Sequence, residues 1–142
     1  GEITELEVKI SRILKDLSNK YGSLRDSEIK HVYDTENVLV IVTAEGDGAK
    51  VVGRGGEIVK EIAERADKSI RVVEKAEDDK DVIKGLLSPA EIKSINTVFK
   101  PDGQSEKVVV SEEYEGKINL STDELESLIQ DITDTEYDIA FE

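Results

Sequence analysis

The sequence predicts an α+β chain in two small units, on three observations. Segments whose apolar residues recur at three- and four-residue steps alternate with short β-branched runs along the 142 residues. Three glycines in four residues, Gly53-Arg54-Gly55-Gly56, separate one such run from a helix-periodic segment. Charge is divided unevenly: residues 1–75 hold 15 acidic and 13 basic side chains, whereas residues 76–142 hold 18 and 6. The boundary between units is expected at 87/88, before the Ser88-Pro89 step.

Residues 2–21 read as an amphipathic helix, with Ile3, Leu6, Ile10, Ile13, Leu14, Leu17 and Tyr21 on one face and Gly22 as its stop. Ser27 to Tyr33 alternates, with Ile29, His31 and Tyr33 expected on one side and Lys30 and Val32 on the other. After the turn Asp34-Thr35-Glu36-Asn37, the run Val38 to Val42 is apolar on both faces, as an inner strand requires. Glu45-Gly46-Asp47-Gly48 is a loop, and Asp47 or Glu45 is expected to cap a short helix reaching Val52. A second helix over about 57–67 and a strand at 69–74 follow the glycines. Asp78 to Leu87 is a further short helix, and Ile92 to Phe99 and Glu106 to Ser111 are strands joined by the hairpin turn Lys100-Pro101-Asp102-Gly103-Gln104. Ser121-x-x-Glu124 is a capping box opening a helix to Ile132, and Tyr137, Ile139 and Phe141 alternate as a last strand.

Composition narrows the classes. The chain has no Cys and so no disulfide, thiol chemistry or Cys-ligated zinc, which agrees with a cytoplasmic setting. No apolar run is long enough to span a membrane, and no signal segment is visible. The absence of Met, with Gly1 first, suggests a trimmed start or a domain cut from a longer protein. The net charge of −14 is unfavourable to nucleic acid as an average, yet residues 50–75 carry seven cations against five acids.

A glycine-rich turn opening a helix presents unpaired N–H groups beside the positive end of the helix dipole, a cradle for phosphate. Two nucleotide signatures fail at these residues. Gly48 and Gly53 have Walker spacing, but Arg54-Gly55 stands where Lys and a hydroxyl are needed, and Val51 replaces the last glycine of a dinucleotide fingerprint. Val52-Gly53-Arg54-Gly55-Gly56-Glu57-Ile58-Val59 does fit the pattern apolar-Gly-x-x-Gly-x-x-apolar of K-homology (KH) domains, whose GXXG loop clamps about four nucleotides. The competing reading is a helix–turn–helix corner whose glycines serve packing alone. The order helix, strand, strand, helix, GXXG, helix, strand resembles a type II KH domain, a three-stranded sheet with helices on one face.

Residues from about 27 to 110 resemble the tandem KH region of NusA-type transcription factors, particularly the short archaeal NusA-like proteins. The resemblance rests on Gly53-Arg54-Gly55-Gly56, on Ile70-Arg71-Val72-Val73-Glu74, on the joint Leu86-Leu87-Ser88-Pro89-Ala90, and on Ile92 to Val98 leading into Lys107-Val108-Val109-Val110. It implies a second GXXG near 116–124, but that stretch reads Gly116-Lys117-Ile118-Asn119-Leu120-Ser121-Thr122-Asp123-Glu124. Residues 88–142 are accordingly expected to form a small, acidic, degenerate KH-like α/β unit without RNA contacts.

The resemblance implies RNA binding in transcription elongation, termination or RNA processing, with RNA polymerase or an RNA-processing assembly as a partner. The residues assigned to single-stranded RNA are Lys50, Val52, Gly53, Arg54, Gly55, Gly56, Ile58, Val59 and Lys60. Gly53 and Gly56 are expected to let the backbone approach phosphate, Arg54 to place a charge on it, and Val52, Ile58 and Val59 to receive bases. The alternative is a KH-fold module that binds protein, its acidic half docking on a basic partner. No catalytic constellation, cofactor motif or metal loop is expected. The sole histidine, His31, has no ligand spacing, and Asp123, Glu124, Glu126 and Asp131 do not form a dedicated Mg²⁺ loop.

Overall fold

The computed structural model describes residues 5–142, leaving aside the side chains of Leu6 and Glu7. The chain divides into two compact units, Gly1–Lys75 and Ala76–Glu142. In the first, helix α1 (Glu5–Lys20) turns through the short α2 (Gly22–Arg25) into strands β1 (Ile29–Asp34) and β2 (Val38–Thr43). Helix α3 (Gly48–Val52), a 3-10 turn (Arg54–Gly56), helix α4 (Glu57–Ala66) and strand β3 (Ser69–Glu74) complete it.

The sheet order is β1-β2-β3, with β1 antiparallel and β3 parallel to β2. A parallel return needs a crossover connection, and α3, the glycine turn and α4 are that crossover. This places the turn between two helices anchored to the same sheet. The inner strand β2 is buried along its whole length, as its unbroken apolar run requires. Ile10, Ile13 and Leu17 of α1, Leu39 and Ile41 of β2, Val51 of α3, and Ile58 and Ile62 of α4 share one core with Leu24. The α1 stripe is therefore core-facing; Ile3 and the Leu6 side chain lie outside the described residues.

The alternation expected for β1 does not hold through its first residues. A bulge between Ile29 and His31 shifts the register, so that Ile29 joins Val32 against the core instead of sharing a face with His31 and Tyr33. His31 is exposed, with its ring centroid 5.8 Å from that of Tyr33.

Polar contacts hold α1 to α4. Tyr21 Oη donates to Glu61, and Lys20 Nζ reaches the same carboxylate at 3.2 Å. Arg65 lies 3.7 Å from Asp16. The Tyr21 hydroxyl, followed by the Lys20 ammonium, holds the Glu61 carboxyl below its ordinary range.

The second unit contains helix α5 (Asp79–Leu87), strands β4 (Ile92–Lys100) and β5 (Gly103–Val110), a 3-10 turn (Glu112–Tyr114), helix α6 (Thr122–Thr133) and strand β6 (Tyr137–Phe141). Helix α5 groups with this unit, so the division falls at 75/76 and not at 87/88. The reason is packing: α5 lies on α6, and its Val82, Ile83, Leu86 and Leu87 are buried. Tyr137 Oη, in β6, donates to Asp79 Oδ2 at 2.9 Å. Burial and that carboxylate push the Tyr137 phenol up to about 12.

The second sheet repeats the first, in the order β4-β5-β6 with one antiparallel and one parallel pairing. The two mixed sheets and their helices form an α+β architecture compatible with a KH-like fold. Ile41 pairs with Val72 in one sheet and Val108 with Ile139 in the other, the same spacing in chain position. Helices α4 and α6 both end on an aspartate in the left-handed region, Asp67 and Asp134. Both first strands carry the bulge, at Ile29/His31 and at Ile92/Ser94.

The hairpins differ. Pairing of β1 with β2 ends at Asp34↔Leu39, whereas β4 and β5 run past the corresponding Thr97↔Glu106 to Lys100↔Gly103. Pro101 and Asp102 close that longer ribbon, a tighter turn than the five residues expected.

The Glu61 contacts make a signed prediction. A depressed folded pKa contributes stability that is present above the unfolded glutamate value and lost as pH falls through the folded one. Tyr21→Phe is therefore expected to lower the urea midpoint at pH 7. Its deficit against the parent chain should shrink as pH falls below about 4. A deficit independent of pH would show that the hydroxyl acts without the Glu61 charge.

Candidate nucleic-acid interface

The glycine turn owes its shape to three backbone positions. Gly53, Gly55 and Gly56 have φ of 81°, 61° and 78°, in the region that L side chains rarely occupy. Gly53 N–H donates to Ala49 O at 2.9 Å, ending α3, and Gly56 N–H donates to Gly53 O at 3.1 Å, tightening the turn. Gly56 stands at the N-cap of α4 without a side-chain hydrogen bond, and the first N–H of the helix, that of Glu57, donates to Arg54 O within the 3-10 turn. Arg54 and Gly55 are exposed at the apex.

The glycines have different reasons for being glycine. A Cβ on Gly53 would lie 2.5 Å from Ile58 Cγ1 and 3.0 Å from the Ile58 backbone nitrogen. One on Gly55 would meet nothing within 4 Å, and one on Gly56 would touch only Val59 Cγ1 at 3.8 Å. Gly53, expected to let phosphate approach, instead makes room for Ile58 of its own chain. The open approach is over Gly55 and Gly56.

Ile58 is 1% exposed and belongs to the core. It cannot receive a base, so the assigned apolar rim reduces to half-buried Val52 and Val59. Helical spacing explains the difference: Ile58 and Ile62, one turn apart on α4, point into the core together.

The cations sort in the same way. Lys50 Nζ lies 3.0 Å from Asp47 Oδ1, which offsets its charge, while Arg54 and Lys60 are exposed with no ion pair among the described residues. Arg71 is half-buried in β3, and its desolvation lowers its pKa.

Neither residue expected to cap α3 does so. Asp47 accepts from Glu28 N–H at 2.8 Å, and this bond and Lys50 hold its carboxyl below the ordinary range. The start of α3 is met by Glu74, at the end of β3, which accepts from Gly46 N–H at 2.9 Å and from Gly48 N–H at 3.1 Å. A Cβ on Gly48 would lie 2.5 Å from Glu74 Oε2, which explains that glycine. The start of α3 thus has a carboxylate from its own unit, and no side-chain acceptor of that kind meets the start of α4 among the described residues. The contact joins residues far apart in sequence, so no local pattern announces it.

In chain position, Leu120-Ser121-Thr122-Asp123 of the second unit corresponds to Gly53-Arg54-Gly55-Gly56. Ile118 and Leu120 are buried there. Ser121 Oγ accepts from Glu124 N–H at 3.1 Å and Glu124 Oε1 from Ser121 N–H at 2.9 Å, closing the capping box. Glu126 accepts from Ile139 N–H at 2.8 Å. Two of the four acids considered for Mg²⁺ are thus engaged with backbone, and no group of three potential ligands gathers among the described residues. No helix among them is long and apolar enough to cross a membrane.

Substitution separates the roles of the two glycines. Gly53→Ala incurs the strain of a backbone region that is essentially glycine-only (φ 81°, ψ 172°) and a clash with Ile58; Gly55→Ala incurs only the left-handed penalty, roughly 1–2 kcal/mol. The expected order in urea denaturation is parent, then Gly55→Ala, then Gly53→Ala as least stable. Equal losses would remove the packing role of Gly53.

No protein-family model matches the chain. It is 37% identical over 57 residues to the probable transcription termination protein NusA of Methanococcus vannielii, covering 40% of this chain and 33% of that protein. The chain thus aligns with about a third of that relative's length. Among solved structures, the crystal structure of APE1850 is similar with a TM-score of 0.63, over 91% of this chain and 96% of that one, at 24% identity. The latter likeness concerns the fold alone.

Proposed function

We propose that this chain is a non-catalytic RNA-binding protein of the NusA-like kind. Its first unit is a type II KH domain, and its second is a degenerate KH-like unit without a cradle. The glycine turn holds the backbone of single-stranded RNA, and the setting is transcription elongation or termination, or RNA processing, beside RNA polymerase or a related assembly. The observation that carries this reading is the turn itself: an exposed helix entry without a side-chain cap, with Arg54 and Gly55 at its apex.

A concavity of about 400 Å³ in the first unit lies away from the turn, between α1 and β1, lined by Ile10, Leu14 and Ile29 to Val32. Partial identity to an archaeal protein named for transcription termination supports the reading. Val52 and Val59 flank the turn as the apolar surface for bases, with Arg54 and Lys60 as the available charges. The residue assignment is therefore Val52, Gly55, Gly56, Val59, Arg54 and Lys60 in contact. Gly53 and Ile58 act as supports, and Lys50 is a screened contributor.

A protein-docking reading draws on the acidic second half, whose residues 76–142 hold 18 acids against 6 bases. It leaves the glycine turn without a role, and so ranks second.

Replacing Arg54 and Gly55 together by Asp sets two carboxylates where phosphate must approach. Affinity for a short unstructured RNA is expected to fall at least tenfold, about 1.4 kcal/mol, with circular dichroism unchanged. Two cations neutralise few phosphates, so the slope of log K against log[salt] in the parent should be roughly −1.5. A folded double variant that binds RNA like the parent would sink the clamp.

A further inference from the structure

The long hairpin of the second unit carries a feature its fold does not need. Phe99 is 81% exposed and lies on β4 beyond Thr97, in the part of the ribbon for which the β1–β2 hairpin has no counterpart. Strand β6 pairs with β5 only from Glu106 onward, so this extension stands clear of the three-stranded sheet. It is nevertheless held in place. Lys100 lies 3.6 Å from Asp138, Ser105 Oγ donates to Asp138 at 3.4 Å, and Thr97 Oγ1 donates to Glu106 at 3.1 Å.

We propose that Phe99 is a base-stacking platform for single-stranded RNA, a second contact separate from the glycine turn. The inference rests on the RNA reading of the first unit. A protein anchor would sit in a contiguous apolar patch, since interface cores exclude water around their hot spots. Residues 99–104 are all exposed, and of those that follow Phe99 only Pro101 is apolar, beside Lys100, Asp102, Gly103 and Gln104; no other large hydrophobic residue of the second unit is exposed among the described residues. One aromatic face ringed by hydrogen-bonding groups is what an unstacked base requires. Gln104 pairs directly opposite Phe99 in the ribbon, on the same face, and its amide is suited to a base edge.

The charges nearby mark the contact as non-electrostatic. Lys100 is engaged by Asp138, Lys107 lies 2.6 Å from Glu142, and Asp102 and Glu106 add negative charge. Phosphate is not held here. The platform therefore adds affinity without adding to the salt slope, the opposite of what Arg54 does.

The chain contains no Trp, so Phe99→Trp provides a single reporter on which a base can stack. Titration of the full chain with a single-stranded oligoribonucleotide of about ten residues is expected to quench that emission, with affinity retained. Phe99→Ala should weaken binding at least about fivefold at every salt concentration, leaving the slope of log K against log[salt] unchanged. Phe99→Leu, apolar but without a π-face, should lose as much as the alanine variant. Parent-like affinity in Phe99→Ala, or a silent tryptophan at saturation, overturns the platform. Full affinity in Phe99→Leu overturns stacking, since an apolar contact without a π-face would then suffice for the RNA. If RNA binding is lost on changing Arg54 and Gly55 but ignores Phe99, the platform alone falls. If the parent binds no RNA, both readings fall.

Discussion

The approach of Ile58 to Gly53 is the constraint on which the candidate site depends. Ile58 occupies the space that any side chain at position 53 would need, and it is itself sealed in the core with Ile62, Leu39 and Ile41. The turn is therefore set by core packing at one end and by the start of α4 at the other. Its apex, Arg54 and Gly55, stays exposed while its base cannot move without disturbing the core. A backbone-reading clamp needs that combination, because donors must be aimed before the ligand arrives for their alignment to add affinity.

Glu74 illustrates the same principle with the opposite outcome. Helix α3 also begins after a glycine loop, and its first N–H groups could have faced an external anion. The carboxylate at the end of β3 supplies one internally, through Gly46 and Gly48. Of the two helix entries, that of α4 is the one left without such a carboxylate among the described residues. Asp47, which stood closest in sequence to that role, instead ties the loop to Glu28 and Lys50.

Much of this was legible in the residues. The inner strand showed as an unbroken apolar run, the α1 stripe as helical spacing, the entry of α6 as its capping box, and the hairpin as Pro101-Asp102-Gly103. What escaped depends on contacts distant in sequence or on a single inserted residue. The bulge at Ile29/His31 moved Ile29 to the other face, which alternation cannot foresee. The packing of α5 on α6 shifted the division of the chain, because a short amphipathic helix gives no sign of which sheet it will cover. In the site, the glycines and exposed cations were visible as letters. That Ile58 would be a support and not a contact followed only from its phase with Ile62.

The two units place opposite chemistry at one topological position. Where the first leaves a helix entry open with glycines, the second fills the corresponding stretch with buried Ile118 and Leu120 and closes the entry with Ser121 and Glu124. Taking up two of those N–H groups internally makes the entry less suited to phosphate, and the acidic surroundings add repulsion. On the proposed RNA reading, a chain so divided has one backbone grip and little charge to strengthen it. Added affinity must then come from contacts insensitive to charge, or from tethering within a larger assembly that raises effective concentration. An exposed ring on a braced ribbon in an acidic unit belongs to the first of these: stacking draws on the face of a base, and the acidity that repels phosphate leaves that face available.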